Sequence, residues 1–186
     1  MSSPASVSGD EHIRLFVAYT LAPDDRERLF AWQRTELGKT QARLVPPERL
    51  HFTIAFLGLR PREEIEPIVE VVHAAVDDAG PMPLELLRYR ETRSVGMLVF
   101  DDTTGEATRV ADKIQRGLEE IGAYKCDDRS WLPHVTVLRF RTPPRLRPEL
   151  PELGPISPSE AAAYHSVLRR DGAQYDVLRS VALGGR

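Results

Sequence analysis

Only one of the 186 residues, Cys126, is cysteine, so no disulfide can form within the chain and a cysteine-type structural zinc site is excluded. Such usage fits a reducing compartment. Lysine is nearly as scarce: Lys39, Lys113 and Lys125 are the whole set, and arginine makes up the rest of the 25 basic residues. An excess of either charge is missing too. With 28 acidic residues the net charge is −3, so no global positive field draws the chain onto nucleic acid. Any RNA or nucleotide binding must come from a local site. No apolar run approaches the roughly 18 residues that a bilayer span needs. The opening stretch, MSSPASVSGDE, lacks the basic region and apolar core of a secretory signal. A cytoplasmic protein with no membrane partner is expected.

What is present is ordinary for a globular chain, 41% hydrophobic and 28% charged, and long enough for one substantial domain. Residues 1–10 are small and polar and read as a disordered tail. Residues 11–182 read as a single domain, with 183–186 as a C-terminal tail. Period-two alternation predicts strands over 12–19, 42–45, 50–57, 84–90, 96–100, 134–140, 161–168 and 174–181. Gly58 is expected to end the strand over 50–57, and Asp171-Gly172 to turn between the last two strands. Helices are predicted over 23–37, from near Ile65 to Ala79, and over 107–121. Thr103 and Glu106 have the spacing of a capping box ahead of that third helix. The fold class is α+β, with mainly antiparallel sheets and helices on their outer faces.

Two stretches stand out against this background, His51-Phe52-Thr53-Ile54 and His134-Val135-Thr136-Val137. In a strand, side chains alternate faces, so each stretch presents an imidazole and a hydroxyl together while burying two apolar residues. Each lies in a strand preceded by a helix, which suggests two similar halves related by an approximate twofold. Two imidazoles flanking one cleft can hold opposite protonation states near neutral pH, one taking a proton and the other giving one. With threonine hydroxyls on the oxyanion, the set suits in-line displacement at phosphorus. This chemistry needs no metal or other cofactor, and strand spacing offers two histidines where catalytic zinc usually has three protein ligands.

His12, His73 and His165 lack any such context and read as surface or partly buried histidines. Arg139 could hold a phosphate bidentately. Its odd spacing from His134 puts it on the wrong face of a regular strand, so this role requires a bulge or the strand's end. The run Arg139, Arg141, Arg145 and Arg147 reads either as a track for an RNA backbone or as a solvated loop. Phe56 and Trp131 read either as stacking platforms for a base or as core.

At these residues the chain resembles the 2H phosphoesterase superfamily, and within it the LigT-like RNA 2′,3′-cyclic phosphodiesterases. RLFVA at 14–18 is similar to the family's opening strand, PPERLHFTIAFLG at 46–58 to its first motif, and WLPHVTVLR at 131–139 to its second. The closing strands, up to 178, also resemble the family's end. Ile54 and Val137 stand where leucine is common. The resemblance implies a bilobal fold, two antiparallel sheets with outer helices related by a pseudo-twofold, and an active-site cleft between the lobes. It implies hydrolysis of 2′,3′-cyclic phosphate ends of RNA or nucleotides to 2′-phosphomonoesters; separately, a monomer is expected. His51 would then be the acid protonating the departing O3′ and His134 the base activating water, with Thr53, Thr136 and Arg139 on the phosphate. Other readings of the same site stay open: a 2′-5′ oligonucleotide phosphodiesterase or ligase, an esterase for another small cyclic phosphate, or a non-catalytic module that binds RNA ends.

Overall fold

A computed structural model describes residues 12–169 and 172–183. Strands form where alternation predicts them: β1 (His12–Thr20), β2 (Arg43–Leu44), β3 (His51–Pro61), β4 (Leu84–Glu91), β5 (Val95–Asp102), β6 (His134–Arg139), β7 (Glu160–Arg169) and β8 (Gly172–Ala182). The α-helices among the described residues are α1 (Pro23–Trp32), α2 (Ile65–Val76) and α3 (Glu106–Glu120). Pro67 falls in the first turn of α2, where its missing amide hydrogen is not needed.

The strands run in the order β4-β5-β6-β3-β1-β7-β8, with β2 beside β6, and every pairing is antiparallel. Two antiparallel halves are thus recognisable, β4-β5-β6 with β2, and β3-β1-β7-β8. They run into one another through a single residue pair, Phe52 with Val135. Both residues are fully buried, so the junction is anchored from the core side.

That core is built from alternating strand residues and the apolar stripe of α3: Ala107, Val110, Ala111, Ile114 and Leu118. Burial of a leucine- or isoleucine-sized side chain contributes about 1.5–3 kcal/mol. Gly117, in the middle of α3, is explained by the neighbouring helix. A β-carbon there would lie 2.7 Å from a methyl of Val71 on α2, so the close crossing of the two helices outweighs the roughly 1 kcal/mol that a mid-helix glycine costs.

The departures from the sequence reading have identifiable causes. The helix expected to Leu37 is α-helical only to Trp32 and continues as a π-helical turn, Gln33–Leu37. Gln33 lies on the buried stripe of Leu29, Trp32 and Leu37 and is itself fully buried. Its Nε2 donates to the carbonyls of Val45 (3.0 Å) and Val137 (2.5 Å). Gly58 does not end β3. It adopts a left-handed conformation, φ 72°, and the strand continues to Pro61. The capping box does not form. Asp102 Oδ2 accepts from the amide of Thr108 instead, and Glu106 accepts from the Gly80 amide and pairs with Arg109. The tail over 1–10, Asp171 of the expected turn, and residues 184–186 lie outside the described residues.

Candidate active site

The pair Phe52–Val135 sets the register of the two motif strands. Stepping one residue either way along an antiparallel pair brings His51 opposite Thr136 and Thr53 opposite His134. Because the central pair points into the core, these four side chains share the other face. The approximate twofold therefore passes through the junction, and each half contributes one imidazole and one hydroxyl to the same cleft.

Both rings are held in the same way. His51 Nδ1 lies 2.8 Å from the carbonyl of Arg49, and His134 Nδ1 lies 2.8 Å from the carbonyl of Leu132. A carbonyl only accepts, so each Nδ1 carries a hydrogen, and Nε2 is the nitrogen left for proton transfer. His51 Nε2 sits 3.0 Å from the hydroxyl of Thr53. In the neutral ring this nitrogen is the acceptor, so the threonine donates to it.

At the fourth residue of each motif both strands carry a bulge. In β3, Thr53 faces Ala18 and Ala55 faces Val17, which leaves Ile54 unopposed. In β6, Thr136 faces Met97 and Leu138 faces Gly96, which leaves Val137 unopposed. The extra residue keeps two successive side chains inside: Ile54 with Ala55, and Val137 with Leu138, all buried. The alternation then resumes one residue late. Arg139 thereby joins the face of His134 and Thr136, and Phe56 joins that of His51 and Thr53. The Val137 carbonyl is held by the Gln33 side chain and by the Val45 amide, so the bulge that aims Arg139 is fixed from inside.

The His51 ring is electrostatically perturbed. Desolvation is the main cause, and the nearby charges of His134 and Arg139 add to it; the hydrogen bond to Arg49 opposes them. The result is a pKa lowered from the ordinary 6.5 to about 4. The desolvation comes from an aromatic wall. Phe16 of β1 lies 5.1 Å from the His51 ring, Tyr175 of β8 meets it edge-on at 5.5 Å, and Tyr164 of β7 lies at 6.1 Å. Between pH 6.5 and 4 an unfolded chain binds a proton here that the folded chain refuses. The stability contributed by neutral His51 is therefore present above pH 6.5 and lost as pH falls to 4, at an upper limit of about 3 kcal/mol. Thermal melts across that range should show the unmodified protein losing more than His51→Gln, and parallel curves would contradict this environment for the ring.

The family model of the 2′-5′ RNA ligase superfamily matches residues 22–173. The chain belongs to this superfamily. An RNA 2′,3′-cyclic phosphodiesterase of Thermus thermophilus is 30% identical over 93% of this chain and 91% of its own length. A protein of known crystal structure from Thermus thermophilus is 29% identical, with TM-score 0.77, over 93% of this chain and 99% of that one. Escherichia coli LigT complexed with 3′-AMP superposes with TM-score 0.79 at 24% identity, over 93% of this chain and 99% of that one, and so shares the LigT-like fold.

Within this superfamily member, the remaining residues singled out in the sequence divide by location. Phe56 is 70% exposed beside the site and lies 6.0 Å from Phe16. Trp131 takes the second of its two readings, the core. Only 8% exposed, it sits edge-on to Tyr19 and donates from Nε1 to the Thr53 carbonyl at 2.8 Å, so it braces the motif strand from the core and has no face to offer a base. His12 begins β1, His73 is on the outer face of α2, and His165 faces Leu15 across β7; none joins the pair. No group of three or more His, Cys, Asp or Glu suited to a metal occurs among the described residues. Among the described residues no helix is long and apolar enough to cross a membrane.

The aromatic wall is what the sequence reading missed. Its members come from β1 and from the paired closing strands β7 and β8, more than 140 positions away in the chain, and only the β1–β7 register brings Phe16 opposite Tyr164. Gln33 was also missed, although a glutamine on a helix's apolar stripe is a readable signal.

Proposed function

We propose that this cleft hydrolyses 2′,3′-cyclic phosphate ends of RNA or nucleotides to 2′-phosphomonoesters. The observation that carries the reading is the register at Phe52–Val135, which sets two His-x-Thr units facing one another across a single strand junction. The name of the Thermus thermophilus relative supports the substrate class.

The cyclic phosphate would sit between the two Nε2 atoms. His134 Nε2 takes a proton from water as the water oxygen attacks phosphorus in line with O3′. The P–O3′ bond breaks, and O3′ leaves with a proton from His51 Nε2. One proton is gained by the pair and one is lost, and solvent restores the starting state. The hydroxyls of Thr53 and Thr136 and the guanidinium of Arg139 hold the non-bridging oxygens, where charge accumulates in the transition state. Phe56 would stack on the base attached to the reacting ribose.

In the free protein His51 is neutral near pH 7, because its pKa is about 4. A bound phosphate reverses part of that shift, since its negative charge favours the imidazolium. Substrate thus recharges the residue that must donate, and the Thr53 hydroxyl, released from Nε2, is free to turn to the phosphate.

Chromatography of the product from 2′,3′-cyclic AMP tests the reading. Formation of 2′-AMP is expected. A 3′-AMP product would reverse the leaving group assigned here. Binding of a cyclic-ended RNA without turnover would leave a non-catalytic module and overturn the proposal.

A further inference from the structure

We infer that a groove leading outward from Arg139, between β2 and the end of β6, binds the sugar-phosphate backbone of the RNA strand whose cyclic end lies between the histidines. The inference rests on the hydrolytic reading above and extends it from a terminal nucleotide to a polymer.

The groove has a volume of about 590 Å³ and is lined by Arg43, Arg139 and Arg141, together with Thr40, Gln41 and Thr142. None of the described residues lining it is acidic. This concentration of cations is local, because the whole chain carries a net charge of −3. The β2–β6 pairing sets Arg43 directly opposite Arg139. Directly opposed residues of an antiparallel pair put their side chains on the same face, so Arg43 shares the face of Arg139, His134 and Thr136.

The direction of the groove favours a polynucleotide over a second small anion. Arg139 ends β6 on the face of Thr136 and also lines the groove, so the groove opens directly from the site. Arg141 follows past the end of β6, and Arg43 flanks Arg139 on β2. With the terminal phosphate at Arg139, the phosphates that precede it in a strand entering the cleft by its 3′ end would lie over the rest of this groove. Threonine and glutamine add donors and acceptors for phosphate oxygens and ribose hydroxyls without reading base sequence. A mononucleotide held at Arg139 does not extend over the rest of it.

The test compares two substrates, 2′,3′-cyclic AMP and a short oligoribonucleotide ending in a 2′,3′-cyclic phosphate, with the unmodified protein and the double variant Arg43→Ala/Arg141→Ala. The oligonucleotide is expected to have the higher kcat/KM, with an advantage that shrinks as salt rises. The double variant should lose about tenfold on the oligonucleotide and nothing on cyclic AMP, and its salt slope should fall by about 1.4, two contacts at roughly 0.7 each on a single strand. Retained turnover of cyclic AMP also shows that the variant is folded. Equal loss on both substrates, or no loss on either, overturns the groove. Fluorescence anisotropy with a labelled single-stranded RNA separates this from the catalytic reading. If nothing is hydrolysed yet the double variant loses RNA affinity, the groove stands and the hydrolytic reading falls. If cyclic AMP is hydrolysed and RNA affinity is unchanged by the substitutions, the groove falls alone.

Discussion

Replacing either His51 or His134 with alanine is expected to lower turnover of 2′,3′-cyclic AMP by about 10²–10⁴-fold, the usual contribution of a positioned acid or base. Removing both should cost little more than removing one, because the two imidazoles work on a single displacement and act as a unit. Losses that simply multiplied would show two independent contributions instead. The two single variants should part company on an activated ester. A nitrophenolate leaving group departs without a proton, so a substrate bearing one needs the base and not the acid. On such a phosphodiester His51→Ala should recover most of its lost rate, while His134→Ala should not. Recovery by His134→Ala alone would exchange the two roles and leave the pair intact. The ring fixation makes this comparison clean: each Nδ1 is tied to the carbonyl two residues back, at 2.8 Å, so deletion of one ring leaves the other's orientation in place.

The second large effect concerns Arg139. Its substitution by alanine should lower kcat/KM by about 10–100-fold, since a charge-assisted contact to phosphate contributes about 1.5–3 kcal/mol. Lysine at this position restores the charge but not the planar fork, so Arg139→Lys should recover only part of the loss. The same change reports on geometry through His51. Arg139 is one of the cations that depress that ring, and Arg139→Ala should raise its pKa from about 4 toward the ordinary 6.5. A kinetic loss with no movement of the His51 pKa would mean that Arg139 acts from outside the cleft.

That the motif strands face one another follows from features readable in the chain. Alternation in His51–Ile54 and His134–Val137 tells which side chains share a face, and the apolar partners Phe52 and Val135 say which face is inside. The face of Arg139 was not readable, because nothing at Val137 marks a bulge: no glycine, no proline, only one more buried aliphatic residue. The bulge shows itself in pairing with Met97 and Gly96 and in the hydrogen bond from Gln33, both long-range. The same holds for Gly58, where a residue that commonly stops a strand instead sits at a second shift in the pairing of β3 with β1, and the strand goes on. Trp131 was ambiguous because an indole can serve a core or a base equally well, and only the contact with the Thr53 carbonyl assigns it. The wall of Phe16, Tyr164 and Tyr175 depends on three strands meeting and has no local signature. Local chemistry was legible, then, and the contacts that tune it were not.

The two-histidine mechanism stands or falls on one phosphate lying between the imidazoles. An NMR pH titration of the ¹⁵N-labelled imidazoles, with and without 2′-AMP, tests this without relying on turnover. In the free protein His51 should titrate near its depressed value of about 4, and with 2′-AMP bound its pKa should rise, with the Nε2 signals of both His51 and His134 shifting together. If 2′-AMP binds and neither ring responds, or only one does, the phosphate is held elsewhere and the two-histidine site as described is wrong.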